Sequence, residues 1–266
     1  MKKLIANITA IFSVSFFPIA LAIVPVPAAD QSEPIAITGA VIHVGNGMVI
    51  NEGIITFNGG LITAVGTATE GVDLVDHLLI DVQGRHVYPG FVLPNSTLGL
   101  IEVNSVRATS DVLEEGDINA SVRSAIAYNT DSEIIPANRF NGILTAQVVP
   151  QGGLISGSST IFKLDGWNWE DAMLAEDVGL HMHWPSYTQR LRNPETGLFE
   201  TVDNENYEGQ TQLLHSLFQD AQAYTGQPLN LNLLAMQPLF NGVATVSYTH
   251  LRAHETLRYR GRRRGV

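Results

Sequence analysis

Two histidines separated by one residue, His181 and His183, are the first candidates for chemistry in this chain. On a β-strand, side chains two positions apart point to the same face, so both imidazoles could bind one metal ion. Imidazole suits zinc, and a zinc ion with an open position turns bound water into a nucleophile near neutral pH. The pair therefore predicts a metal site of the hydrolytic type. The alternative is two ordinary hydrogen-bonded or surface histidines, because the following Trp184-Pro185 is typical of a packed loop.

A second group of polar candidates follows the apolar segment 91–93. Asn95 and Thr97 carry neutral side-chain oxygens, which could contact a ligand but are poor partners for zinc. The alternative is that both residues serve a strand-to-loop turn. Lys163 lies in a predicted strand, where we expect its side chain to point outward. We expect structural, solvated or helix-capping roles for the other titratable candidates: His43, His86, Glu102, Asp131 and Glu133.

Upstream of residue 90, the pattern predicts short β-strands. Glycine and asparagine between the apolar runs supply the positive φ angles that tight hairpins need. The pattern therefore indicates a small antiparallel β unit. Strands are predicted at 35–44, 48–50, 54–57, 61–65 and 78–82, followed by an extended segment at 87–88.

Beyond Gly90, strands alternate with helical or looped connections, a pattern typical of a parallel α/β architecture. In such a fold the carboxyl ends of the strands are where ligands bind. Apolar residues at helical spacing predict an amphipathic helix over 212–224. The other predicted helices are 121–128, 134–140 and 229–236, and the predicted strands are 91–93, 142–150, 154–164 and 243–246.

The amino terminus has the pattern of a secretory leader. Lys2 and Lys3 precede a long apolar run, and the small residues Ala28 and Ala29 follow it. We expect residues 1–29 to be a signal peptide and the protein to be exported, most simply to the periplasm. The alternative is a retained membrane anchor, since the apolar run is long enough to span a bilayer. The chain has no cysteine, so the fold depends on its core without disulfides.

The carboxyl terminus differs sharply in charge from the rest of an acidic chain, whose formal net charge is −11. It contains six of the fifteen lysines and arginines, and residues 246–259 resemble a translated sequencing adapter. We therefore expect residues 247–266 to be non-native, the natural sequence to continue beyond about Thr245, and the spacing of His250 and His254 to be accidental. The alternative is a basic arm for nucleic acid or anionic lipid.

Three stretches carry a resemblance to a known family. Ile80-Asp81-Val82-Gln83-Gly84-Arg85-His86-Val87-Tyr88-Pro89-Gly90-Phe91-Val92 resembles the approach to the first barrel strand of the amidohydrolase superfamily, and Leu98-Gly99-Leu100-Ile101-Glu102 resembles the segment that follows it in one branch. Residues 142–164 are similar to the next strand of the family and its glycine-rich loop. The resemblance covers about residues 35–245, and it is nearest to the imidazolonepropionase-like branch.

This resemblance implies a mixed α/β fold, with a β-sandwich portion at 30–88 followed by the first part of an incomplete (β/α)8 barrel at 89–246. In the family, the first barrel strand ends in His-x-His and binds a catalytic metal; here Asn95 and Thr97 occupy those two positions. Lys163 is a candidate for the bridging lysine of some members.

The implied activity of the full-length form is hydrolysis of a C–N bond in an amide or cyclic amide by metal-activated water, with zinc as the expected divalent metal. For this chain, the alternative of no metal at all is left open. Because later ligands would lie beyond Thr245, we expect this chain itself to be inactive. The alternative is a non-catalytic ligand-binding barrel that has lost the first metal motif. The expected partner is a small-molecule amide, with no nucleic acid and, after leader removal, no membrane.

Overall fold

The computed structural model of this chain describes residues 26–67, 71–103 and 105–249. The predicted leader therefore lies outside the described residues except for 26–29, and the predicted tail except for 247–249. His250 and His254 also lie outside them. No helix in the described ranges is long and apolar enough to cross a membrane.

The amino-terminal part of the chain forms a five-stranded sheet. Its spatial order is β3-β2-β1-β4, and β5 also pairs with β1. The β1/β2 and β2/β3 pairs are antiparallel, as the glycine-rich turns predicted, whereas β4 and β5 run parallel to β1. The strands are β1 (Ile35–His43), β2 (Val49–Asn58), β3 (Leu61–Thr67), β4 (Leu78–Asp81) and β5 (His86–Val87).

Two details of the predicted β unit were wrong. The segments 48–50 and 54–57 belong to one strand, β2, because Glu52, with φ of +50°, lies within the strand and does not turn the chain back. The pairing of β1 with β2 shifts register around the Ala40–Gly53 pair, which is typical of a β-bulge. The unit is also not wholly antiparallel, since β4 and β5 pair with β1 in the parallel direction.

The second sheet contains five strands in the order β12-β9-β8-β7-β6. Strands β6, β7, β9 and β12 point in one direction, and β8 runs against them. The curled sheet and its helices make the chain a mixed α/β fold, as predicted. The strands are β6 (Phe91–Ser96), β7 (Ile143–Val148), β8 (Ile155–Lys163), β9 (Met173–His183) and β12 (Thr245–Thr249).

The reversed direction of β8 is a departure from the predicted parallel pattern. Only residues 149–154 join β7 to β8, and a parallel crossover needs a dozen or more residues. Gly152 and Gly153 both have positive φ in this connection, and a side chain at Gly153 would meet the backbone of residues 116 and 117. The glycines therefore permit a tight return that places β8 antiparallel to both neighbours.

Several connections differ in length from their predictions. The helix predicted over 121–128 is only α1 (Ser124–Ala127), because Arg123 is extended and forms a β-bridge with Ser158. The polar segment 193–209 is exposed as expected, but its residues 199–203 pair with residues 188–192 in a β-hairpin. The remaining elements are α2 (Ile134–Phe140), α3 (Trp169–Ala172), β10 (Thr188–Arg192), β11 (Phe199–Asp203), α4 (Tyr207–Ala223), α5 (Leu231–Ala235) and α6 (Gln237–Phe240), with a 3₁₀ turn at Arg107–Thr109.

The helices pack against one face of the second sheet, and the side chains buried between them and the sheet form its core. Around β7 and β8, Phe162 is fully buried and its ring stacks on Tyr128, with ring centroids 3.8 Å apart. Burial also raises the pKa of the Tyr128 hydroxyl, because the surroundings disfavour the phenolate. Around β8 and β9, Leu180 and Met182 pack with Leu214 of α4. This core holds the strand ends in register.

Replacing Phe162 with alanine tests whether this stacked pair anchors the core. We expect Phe162→Ala to lower the free energy of unfolding by about 3–5 kcal/mol, since a buried ring is replaced by a cavity. Phe140→Ala is the matched control, because Phe140 is 91% exposed and the same truncation should cost less than about 0.5 kcal/mol. Urea denaturation followed by tryptophan fluorescence measures both. Equal losses in the two variants would contradict the described core.

Candidate functional site

The carboxyl ends of four parallel strands lie along one margin of the second sheet. We call this margin the carboxyl edge; it is marked by the last residues of β6, β7, β9 and β12, namely Ser96, Val148, His183 and Thr249. The reversed strand β8 contributes its amino end, where Ile155 pairs with Met182. Loops and strand ends at such an edge are the usual location of ligand sites in α/β folds.

Both predicted histidines lie at this edge and share one face of β9. Leu180 and Met182 alternate with them and pack into the helix-covered core, so His181 and His183 point to the other face. His181 pairs with Gly157 of β8 on one side and with Ser247 of β12 on the other. The prediction that the pair would lie on a strand and share a face agrees with this geometry.

His181 is the most unusual polar side chain of the site. It is only 1% exposed, and neither Nδ1 nor Nε2 has a hydrogen-bond partner among the described residues. Burial lowers its pKa to about 4, with a smaller contribution from the neighbouring His183. His181 is therefore neutral at pH 7, and its buried nitrogens carry an uncompensated desolvation cost of about 1–3 kcal/mol.

His183 is held in a different way. It is half-buried, and its Nδ1 lies 3.1 Å from the hydroxyl of Ser156, which is itself 1% exposed. Its backbone N–H donates to the carbonyl of Leu154 at 2.9 Å. The ring orientation is therefore set by β8, and a contact of this kind also determines which imidazole nitrogen carries the proton.

A line of polar contacts joins four strands, β6, β7, β8 and β9, next to the histidines. The backbone N–H of Asn95 donates to Oε1 of Gln147 at 3.4 Å, and Nε2 of Gln147 donates to Ser159 Oγ at 3.1 Å. The Ser159 hydroxyl in turn donates to the carbonyl of Gly179 at 3.3 Å. Asn95 has φ of +50°, a left-handed conformation that asparagine tolerates better than most residues.

Ser156, Gln147 and Ser159 were missed as site residues in the sequence. Serine and glutamine in a strand do not mark a site by their type. Only the alternation of side chains along each strand indicates that these three point away from the core. Ala146 and Val148 flank Gln147 and pack into the core, so Gln147 faces the same side as the histidines. That alternation was the one available signal.

The contacts of the other predicted candidates are with residues other than the two histidines. Thr97 is in the turn after β6, where its carbonyl accepts from the N–H of Leu100 at 3.0 Å, consistent with a strand-to-loop role. Lys163 ends β8 far from Ile155 and pairs with Asp171 at 3.4 Å. Glu102 accepts from Asn129 and Ser132, and Glu133 is the N-cap of α2 without a side-chain cap bond.

A hydrolytic zinc ion needs more ligands than the two edge histidines supply. Zinc sites in hydrolases use three protein ligands and keep one position for water. Within the described ranges, no group of three or more His, Cys, Asp or Glu side chains could hold a metal. The described part of the chain thus offers two imidazoles at the carboxyl edge and does not complete a hydrolytic zinc site.

Comparison with known proteins gives a likeness in fold. No family model matches the chain, and no curated protein matches it. A solved structure that it resembles is an amidohydrolase from Thermotoga maritima MSB8, with a TM-score of 0.69 and 17% sequence identity over 84% of this chain. The chain spans 60% of the length of that protein. At this identity the likeness establishes the fold.

The buried His181 predicts a defined pH dependence of stability. Its pKa of about 4 in the folded chain is below the ordinary 6.5, so the unfolded chain takes up the proton first as the pH falls. The stabilising contribution of neutral His181 is complete above pH 6.5. It declines between pH 6.5 and 4, and the free energy of unfolding falls by up to about 3 kcal/mol.

His181→Met should remove this component and raise the free energy of unfolding at pH 7 by about 1 kcal/mol, because no unpaired polar group is then buried. Urea denaturation from pH 4 to 8 measures the effect. His215→Met is the matched control, since it makes the same substitution at an exposed histidine on α4. An unchanged slope in His181→Met would show that other groups cause the acid sensitivity.

Proposed function

We propose that this protein is an amidohydrolase-like hydrolase that uses water to break a C–N bond in a small amide or cyclic amide. The observation that carries the proposal is a pair of imidazoles at the carboxyl edge of a sheet whose fold resembles that of an amidohydrolase. Ligand sites in such folds are built at this edge. The resemblance of residues 80–102 and 142–164 to the superfamily supports the same assignment.

The residues of the carboxyl edge have separate roles in this proposal. His181 is neutral at pH 7 and can bind a cation, because its nitrogens have no other described partner. Ser156 orients the ring of His183. Asn95 lies at the end of β6, where its amide could contact the carbonyl or N–H of an amide substrate.

A divalent metal, with zinc as the expected ion, would supply a Lewis acid and an activated water when bound. The described residues provide two imidazoles and no third ligand of a usual type, so the proton transfers are assigned to the protein side chains alone. Further ligands would have to come from residues outside the described set.

The proposal includes the organisation and location of the protein. Residues 1–29 act as an export signal to the periplasm, 30–88 form part of a β-sandwich, 89–246 form the first part of a (β/α)8 barrel, and 247–266 are a non-native tail. The basic leader residues, the small residues before position 30 and the order of the two sheets support this division. Nucleic acid is not a partner in this proposal.

One observation favours a second function. Asn95 and Thr97 stand where the resembled family has metal-binding histidines, and the described residues form no cluster of three ligands. A barrel that keeps its pocket and loses its metal would bind the same class of small amide without hydrolysing it. His181 and His183 would then act as hydrogen-bonding groups for the ligand.

Metal content and hydrolysis together distinguish the two functions. Under the hydrolase proposal, we expect any zinc that the full chain retains after purification without chelators to be lost in His181→Asn/His183→Asn, measured by mass spectrometry of the metal. His77→Asn/His215→Asn is the matched control, because it removes two histidines that are not on the strands of the carboxyl edge; His215 lies on α4, with its ring 6.4 Å from that of Trp184. Release of ammonia or amine from a panel of cyclic and linear amides measures hydrolysis.

Zinc that depends on the edge histidines, together with hydrolysis by the chain or by a longer natural form, supports the hydrolase. A metal-free chain that binds amides, detected by calorimetry, supports the binding protein. Zinc retained equally in both double variants would contradict the assignment of His181 and His183.

A further inference from the structure

Strand β4 lies at an open edge of the amino-terminal sheet. In the order β3-β2-β1-β4 it pairs with β1 on one side, and no strand among the described residues pairs with its other side. Leu78, Leu79 and Ile80 are 46%, 56% and 42% exposed, and Asp81 is exposed as well. An open edge with consecutive exposed apolar residues is a template for pairing with another chain.

The pairing of β4 with β1 decides which of its backbone groups are available. The N–H of Leu78 donates to the carbonyl of Pro34 at 2.8 Å, and the N–H of Val82 donates to the carbonyl of Thr38 at 3.0 Å. In a parallel pair, alternate residues of a strand bond to the same neighbour, so the N–H and C=O of Leu79 point away from β1. Leu79 therefore offers one donor and one acceptor at the middle of the exposed strand.

We propose that β4 is the contact strand of a twofold-symmetric dimer, in which it pairs antiparallel with β4 of a second copy of this chain. Leu79 of each copy lies opposite Leu79 of the other, and the two residues exchange both backbone hydrogen bonds. The contact is isologous, so it closes after two copies and leaves no open β4 edge. It joins the two amino-terminal sheets and uses no residue of the carboxyl edge, so it is independent of the proposed hydrolase function.

The residues of β4 favour this register over its neighbours. With Leu79 at the axis, Leu78 lies opposite Ile80 of the second copy, so each apolar residue meets an apolar partner. An axis at Leu78 would place Ile80 opposite Asp76, and an axis at Ile80 would place Leu79 opposite Asp81. Either shift would take hydration from a carboxylate without giving it a partner, which is unfavourable.

The charges at the ends of the strand suit the same register. Asp81 of one copy lies opposite His77 of the other, so the two Asp81 carboxylates are separated along the strands. Like charges directly opposite each other in a sheet are destabilising, and this register avoids them. Each chain has a formal net charge of −11, so added salt should tighten the dimer by screening the repulsion between the copies.

Analytical ultracentrifugation of the full chain measures the dimer. We expect a reversible monomer–dimer equilibrium that Leu79→Lys weakens by about tenfold or more, because two ammonium groups then lie opposite each other at the axis. Leu61→Lys is the matched control. Leu61 is a 72% exposed leucine on β3, at the other edge of the sheet, and the same substitution there should leave the dimer unchanged. Circular dichroism checks that each variant retains its fold.

Cross-linking tests the register without relying on a loss of binding. The chain has no cysteine, so Leu79→Cys introduces a single thiol. The two Cα atoms at position 79 would be about 5.5 Å apart, which a short thiol-specific cross-linker spans. We expect covalent dimers from Leu79→Cys and not from the control Leu61→Cys.

Three results would overturn the proposal. The first is a chain that is monomeric at every concentration, including one whose Leu79 N–H is protected from hydrogen exchange because another segment of the same chain covers β4. The second is equal weakening of the dimer by Leu79→Lys and Leu61→Lys. The third is cross-linking through Leu61→Cys in preference to Leu79→Cys, which would assign the contact to β3.

Discussion

The pairing of β8 with both of its neighbours is the constraint on which the second half of the structure depends. This strand is buried along most of its length, so its backbone groups must be paired with β7 and β9. Its antiparallel direction sets Gly157 opposite His181 and places Ser156 beside His183. The same strand carries Phe162 into the core. One strand therefore couples packing on one face to the polar arrangement on the other.

The carboxyl edge combines this packing with a cost in stability. His181 is buried without hydrogen bonds, whereas most buried polar groups in proteins are paired. Such an exception is typical of a position retained for chemistry or ligand binding. Asn95, in a left-handed conformation and tied to Gln147, is a second departure from the ordinary at the same edge. Both features are consistent with a ligand site at the carboxyl ends of the strands.

The two histidine pairs show how environment separates residues of one type. His181 and His183 are two positions apart in one strand, and burial favours the neutral form of His181. His43 and His86 are distant in sequence, meet through a parallel strand pair and face solvent. The first pair is suited to a small-molecule site within the fold, whereas the second forms a solvent-facing hydrogen bond between its two rings.

The sequence by itself determined the local features: the β-rich first part, the helix at 134–140, the shared face of His181 and His183, and the resemblance to amidohydrolases. These depend on periodicity and on turn residues close together in the chain. Tertiary structure alone decided that β8 runs antiparallel, that Glu52 forms a bulge within one strand, that Gln147 joins Asn95 to Ser159, and that His86 meets His43. The physical reason is that strand partners and registers are set by hydrogen bonds and burial between segments far apart in sequence, which local patterns do not specify.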